Sequence, residues 1–260
     1  MLLLVTNDDG IEAPGLAALE AAVAGLGEVW TIAPTTEQSA KSHALTMNEP
    51  LRVVQAGPRR FGVTGTPADC VYLAVHHLLP ARPALVLSGI NRGSNLATDV
   101  YYSGTVAAAR EATTMDLPAI AASLWVRPEG SPHWATAQAM VRRVAEGVLR
   151  HGLPAGTLLN LNVPDCPLPE LKGLRAARVG RRYYQPMVSR QTDPRGRPYY
   201  WIGGDHERFD ALPDTDGPLC EAGWAVVSPL HLDPTAHDFL TTLHQWGVVD
   251  HPDGEACSTT

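Results

Sequence analysis

Between Leu2 and Val163 the chain repeats one device: a short apolar run without a polar face, then a segment whose apolar positions recur at helical spacing. The runs are LLLV, EVWTIAP, PALVLSG, LPAIAASL and LLNLNV. A strand that is apolar on both faces needs cover on both, as in a parallel sheet with helices above and below. The intervening segments supply that cover. Leu16, Leu19, Val23 and Leu26 follow Pro14, which suits a first helical turn, and Gly27 closes the segment. Thr66 can cap PADCVYLAVHHLL, SGTVAAAREATTM reads as a further helix, and Trp134 to His151 places Ala137, Met140, Val141, Val144, Ala145 and Val148 on one face. The pattern predicts an α/β fold with a Rossmann-like, doubly wound, mostly parallel sheet over residues 1–170.

Beyond about residue 170 the helical segments stop. RAARVG, RRYYQPMVSR, RPYYWIGG and WAVVSPLHLD read as strands or extended arms separated by Pro, Gly and Asp. Residues 171–260 are therefore expected to form a C-terminal extension of the same domain: a β-hairpin arm, then a returning strand and helix. Tyr183, Tyr184, Tyr199, Tyr200 and Trp201 give the arm more apolar surface than a lone hairpin can bury, so residues 181–246 are expected to contact another subunit. The competing possibility is an arm folded back on its own subunit.

In an open parallel sheet, ligands bind beyond the carboxyl ends of the strands, and the unusual polar residues of this chain gather there. The first strand delivers Asn7, Asp8 and Asp9; the second delivers TTEQSAKSH, with Ser39, Lys41, Ser42 and His43; PALVLSG leads to Asn91. Adjacent carboxylates repel one another unless they are hydrated or bridged by a cation. Carboxylate, hydroxyl and amide oxygens converging from three strands suit Mg²⁺ or Mn²⁺ rather than a thiolate metal. Ser103, Gly104 and Thr105 open the next helix, where unpaired N–H groups and the helix dipole favour phosphate. Taken separately, the acid pair could be a solvated turn and Ser103 an ordinary helix cap. Together, metal and anion receptor make a phosphoryl-transfer arrangement.

Other chemistries are excluded or weak. The formal charge of -7 argues against a surface that tracks long nucleic acids. Cys70, Cys166, Cys220 and Cys257 lack C-x-x-C spacing, so neither a zinc site nor a disulfide framework is indicated. His76 and His77 read as packing or surface residues, and Glu111 as a surface or helix-pair charge. No P-loop, G-x-G-x-x-G or G-x-S-x-G motif occurs. The start of the chain lacks the basic region of a signal peptide and no apolar run is long enough to span a bilayer. A cytoplasmic protein with reduced thiols and no membrane association is expected.

TNDDGIEAPG, APTTEQSAKSHALT, TGTPADCVYL, SGINRGSN, DVYYSGTVAAAREA, DPRGRPYYWIG and VSPLHLDPTAH, in that order, resemble the survival protein SurE family of metal-dependent nucleotidases. The resemblance implies a cytoplasmic 5′/3′-nucleotidase that removes phosphate from nucleoside monophosphates with one divalent metal ion, Mg²⁺ or Mn²⁺, per subunit, and assembles as a homodimer or homotetramer. It places metal ligands at Asp8, Asp9, Ser39 and Asn91, catalysis at Asp8, Asp9 and Asn91, and phosphate contacts at Ser103, Gly104 and Thr105. One departure is Ala40, where many relatives have Gly after the loop serine. Hydrolysis by metal-activated water is favoured over attack by Asp8 itself, because the D-x-D acid of covalent aspartyl phosphatases is absent. A non-catalytic nucleotide sensor is the alternative function.

Overall fold

The computed structural model describes residues 1–126, 131–204, 206–246 and 248–249. A nine-stranded sheet runs through them in the order β3-β4-β2-β1-β5-β6-β7-β13-β8. Its centre is parallel: β2 (Glu28–Pro34), β1 (Leu2–Thr6), β5 (Leu85–Arg92), β6 (Ala119–Trp125) and β7 (Thr157–Pro164). These are the five apolar runs of the sequence. Each is buried on both faces because α1 (Pro14–Val23) and α4 (Trp134–His151) pack on one side, α2 (Pro67–Leu73) and α3 (Gly104–Thr114) on the other. Alternate residues of one strand divide between the layers: Leu3 and Val5 join the α1/α4 core, and Leu4 joins the α2/α3 core. Burial of each such leucine contributes about 2 kcal/mol.

Helix starts follow the local sequence. Thr66 caps α2 through a capping box with Asp69, and Pro14 occupies the first turn of α1. Asp69 also accepts from the Thr46 backbone N–H at 2.9 Å and from the Thr46 hydroxyl at 2.6 Å, which ties the long 35–50 loop to the body.

The structure adds elements that the alternation does not announce. β3 (Val53–Gly57) and β4 (Arg60–Val63) form a hairpin whose second strand extends the sheet beyond β2. β13 (Ala225–His231) returns antiparallel to β7, and of RAARVG only β8 (Leu174–Ala176) pairs regularly, parallel to β13. The extension therefore completes the main sheet.

The arm is divided. β9 (Arg182–Tyr184) pairs with β12 (His206–Phe209) and lies against its own subunit, where Arg182 reaches Asp99 at 2.6 Å. β10 (Met187–Thr192) and β11 (Pro198–Gly203) form a hairpin with Trp201 65% and Ile202 90% exposed. α5 (Asp216–Glu221) packs against β13, and α6 (His237–Gln245) follows it. Cys257 lies outside the described residues.

Candidate functional site

Strand order turns back at β1: β2 lies on one side of it, and the chain then crosses to β5 on the other. The carboxyl ends of β1 and β5 flank that point, which is where a ligand crevice forms. The turn after β1 is built to hold its acids. Asn7 closes it through its side chain, donating to the Gly10 carbonyl at 2.9 Å and accepting from the Gly10 N–H at 3.2 Å. Gly10 has φ +106°, a conformation that side chains rarely adopt. The Asp8 carbonyl takes the Gln38 N–H at 2.8 Å, docking the 35–50 loop onto the same turn.

The resulting cleft, about 360 Å³, is lined by Asp8, Asp9, Ser39, Asn91 and Ser103 among others. Five of the residues singled out in the sequence are thus brought to one place. The other two stand behind it. Thr105 is fully buried and its hydroxyl donates to Asp8 Oδ1 at 2.5 Å. Gly104 backs onto Asp8 so closely that an added Cβ would lie 2.9 Å from the Asp8 Cβ. The start of α3 and the first acid therefore form one unit. Ser103 caps the helix, its Oγ accepting from the Val106 N–H at 3.0 Å.

The electrostatics follow from this packing. Asp8 is 5% exposed, and its carboxyl is pushed from 3.8 up to about 6, chiefly by burial; the Thr105 hydrogen bond opposes the rise and the neighbouring Asp9 charge adds to it. Asp9 is also shifted upward by burial, against the hydrogen bond from the Arg92 N–H at 3.3 Å, with Glu37 adding to the rise. Two desolvated acids are costly to ionise without a cation between them.

The donor set fits a hard cation. Asn91 Nδ2 donates to the Gly93 carbonyl at 2.9 Å, so Oδ1 is the atom that could ligate, and Ser39 supplies a hydroxyl, here donated to Glu37 at 2.7 Å. Among the described residues no three of His, Cys, Asp and Glu converge as metal ligands. The cleft thus brings the two acids Asp8 and Asp9 beside the neutral oxygens of Ser39 and Asn91, donors whose chemistry suits Mg²⁺ or Mn²⁺. Ala40 has φ +58° and Ser42 φ +53°. The positive φ gives the physical reason for a glycine at position 40, and Ala40 holds that conformation without one.

Several supporting residues escaped the sequence reading. Asn160 and Asn162, on one face of β7, donate to the Asn95 carbonyl at 2.8 and 3.1 Å. Asn162 Oδ1 accepts from the Asn95 N–H, and Asn95 Nδ2 donates to Ser123, both at 2.8 Å. This network fixes the segment after Asn91. Polar residues at alternate positions of a doubly buried strand were the available signal. Asp216 does the same from the C-terminal extension, accepting from the backbone of Ala97, Gly180 and Gly217.

Glu111 corrects its assignment as a surface or helix-pair charge. It is 6% exposed and meets His43 Nε2 at 2.6 Å, so it anchors the Ser39 loop from the core. His76 and His77 are exposed, as expected.

Comparison with known proteins gives the family of the whole chain. The model of the family described as survival protein SurE matches residues 3–186. The chain is 49% identical over 246 residues to the 5′-nucleotidase SurE of Pelobacter propionicus, covering 95% of this chain and 99% of that protein. It is 47% identical over 250 residues to the 5′-nucleotidase SurE of Geobacter metallireducens, covering 96% and 99%. The crystal structure of the SurE protein from Aquifex aeolicus superposes with a TM-score of 0.83 at 37% identity, covering 95% of this chain and 99% of that one.

Proposed function

The chain belongs to the survival protein SurE family, and from that premise we propose that it is a divalent-metal-dependent nucleotidase acting on nucleoside 5′- and 3′-monophosphates. The observation that carries the proposal is the meeting of two desolvated carboxylates with the N-terminus of α3 in one cleft. In this reading Asp8, Asp9, Ser39 and Asn91 hold one cation per subunit. A cation bound there would polarise a phosphoryl oxygen and lower the pKa of water.

The remaining work falls to the chain itself. The first N–H groups of α3 and the Ser103 hydroxyl receive the phosphoryl oxygens. Thr105 fixes the rotation of Asp8 through Oδ1 and leaves Oδ2 for the cleft. Asp9, more open than Asp8, orients the attacking water or takes its proton. Gly104 permits the helix start to approach this close.

Phosphate release from paired 5′- and 3′-nucleoside monophosphates, with Mg²⁺ and Mn²⁺ in turn, tests the reading. Turnover with either metal is expected. Saturable nucleotide binding without phosphate release would instead favour a nucleotide sensor.

No described helix is long and apolar enough to cross a membrane; a cytoplasmic location is part of the same proposal. Assembly is expected to use the β10–β11 hairpin, whose Val188, Trp201 and Ile202 are 66%, 65% and 90% exposed. Light scattering at micromolar concentration should give a homodimer or homotetramer. A monomer would show that the hairpin stays free.

A further inference from the structure

Part of the cleft lining is aromatic, and neither cation nor phosphate binding uses it. Tyr102 and Tyr184 line the cleft beside Asp99, with 68% and 43% of their surface exposed. The backbone of Tyr102 and the ring of Tyr184 are held in place. The Tyr102 N–H donates to the Asp99 carbonyl at 2.9 Å, and its own carbonyl accepts from the Ser42 N–H at 3.1 Å. The Ser42 hydroxyl binds the Tyr101 carbonyl at 2.7 Å, so two bonds from the Ser39 loop clamp the backbone beneath this ring.

Tyr184 is fixed through its hydroxyl, which donates to Asp99 Oδ1 at 2.7 Å. Arg182 pairs with Asp99 Oδ2 at 2.6 Å and lies with its guanidinium carbon 5.0 Å from the Tyr184 ring centroid. Arg182 thus offsets a carboxylate that would otherwise repel an anionic substrate, and it braces the ring. Rigid, exposed aromatic faces lose little entropy when a flat group covers them.

Position adds the second argument. Tyr102 immediately precedes Ser103, the cap of the helix whose N-terminus receives phosphate, so its backbone is one residue, about 3.8 Å, from that helix start. A phosphate received at that helix start leaves the base of the same nucleotide in the adjoining part of the cleft, which Tyr102 and Tyr184 line.

Resting on the nucleotidase reading above, we propose that Tyr102 and Tyr184 are the surfaces on which the nucleobase of the substrate stacks, with Asp99 and Arg182 as the positioning pair that holds the Tyr184 ring. Substrate preference then comes from a π face that every base has. A sugar phosphate without a base lacks the interaction.

The test is the ratio of kcat/KM for AMP to that for ribose 5-phosphate, measured on the full metal-supplied chain. Wild type should favour AMP. Tyr102→Ala and Tyr184→Ala should each lower the ratio about tenfold, the scale of one base–aromatic stack. Tyr102→Phe, which keeps the ring, should retain most of it, and Tyr184→Phe, which keeps the ring but loses the bond to Asp99, should fall between wild type and Tyr184→Ala. A ratio unchanged by the alanine variants overturns the proposal. So does an equal loss on both substrates, which would mark the tyrosines as structural, or a change confined to subunit assembly by light scattering. The wild-type measurement separates the two levels: no phosphate from AMP removes the nucleotidase reading and the stacking role with it, whereas turnover of AMP with an unresponsive ratio removes the stacking role alone.

Discussion

Asp8→Asn should lower kcat for phosphate release from a nucleoside monophosphate by about 100-fold or more while leaving the metal-free protein at least as stable as wild type. Asparagine keeps the shape of the side chain and can still accept the Thr105 hydroxyl hydrogen bond. What it removes is charge, and with it most of the attraction for a cation. The stability half of the prediction has a defined sign. The Asp8 carboxyl titrates near 6 in the folded chain against 3.8 ordinarily, because burial disfavours the anion. Well below pH 4 it is neutral in both folded and unfolded chains and makes no difference to stability. Between pH 4 and 6 the unfolded chain ionises first and stability falls; above pH 6 the cost is complete, on the order of 3 kcal/mol.

An uncharged isostere avoids that cost. Thermal unfolding in a chelator at pH 7.5 should therefore show a Tm equal to or above that of wild type. Asp9→Asn should lose activity on the same scale with a smaller stability gain, since Asp9 is less buried. Wild-type turnover in both variants would reduce the acid pair to a turn. Inactivity accompanied by a lower Tm would ascribe the loss to folding instead.

Removal of divalent cations should abolish phosphate release, and Mg²⁺ or Mn²⁺ should restore it. The same addition should be visible without any substrate. A cation that binds the folded state alone stabilises it by about 2.7 kcal/mol at 100 times its Kd, which for a chain of this size raises Tm by roughly 5 °C. The rise should shrink at pH 5, where Asp8, with its carboxyl near 6, is largely protonated and the proton competes with the metal. Full activity after exhaustive dialysis against EDTA would remove the metal from the reading. A Tm shift equal at pH 5 and pH 7.5 would place the cation away from Asp8.

Much of the molecule could be read from residue patterns, and for a definite reason. The five central strands and the four flanking helices are encoded locally: a strand buried on both faces must be apolar throughout, and a helix must repeat its apolar positions at its own period. α4 appears at the residues its periodicity predicts, Trp134–His151, and α3 begins after the cap Ser103. Asp8, Asp9 and Asn91 were legible because strand ends of a parallel sheet all point to one edge, so chain position alone brings them near one another.

Tertiary structure decided what depends on partners distant in the chain. Glu111 lies on a helix of small residues, and only the fold brings it to His43, 68 residues earlier. Asn160 and Asn162 look like ordinary strand residues until Asn95 lies across them. Thr105 reads as a hydroxyl for phosphate, yet its donor is directed to Asp8 because β1 and α3 meet at Gly104. The division of the arm, one pair of strands against its own Asp99 and the other exposed, likewise rests on long-range contacts. Local sequence determined the strands, the helices and the edge at which polar groups gather, since backbone geometry and hydrophobic period act over a few residues. Which of those groups touch, and hence which carboxylate is desolvated and which hydroxyl is already engaged, was decided by packing between segments that the sequence separates.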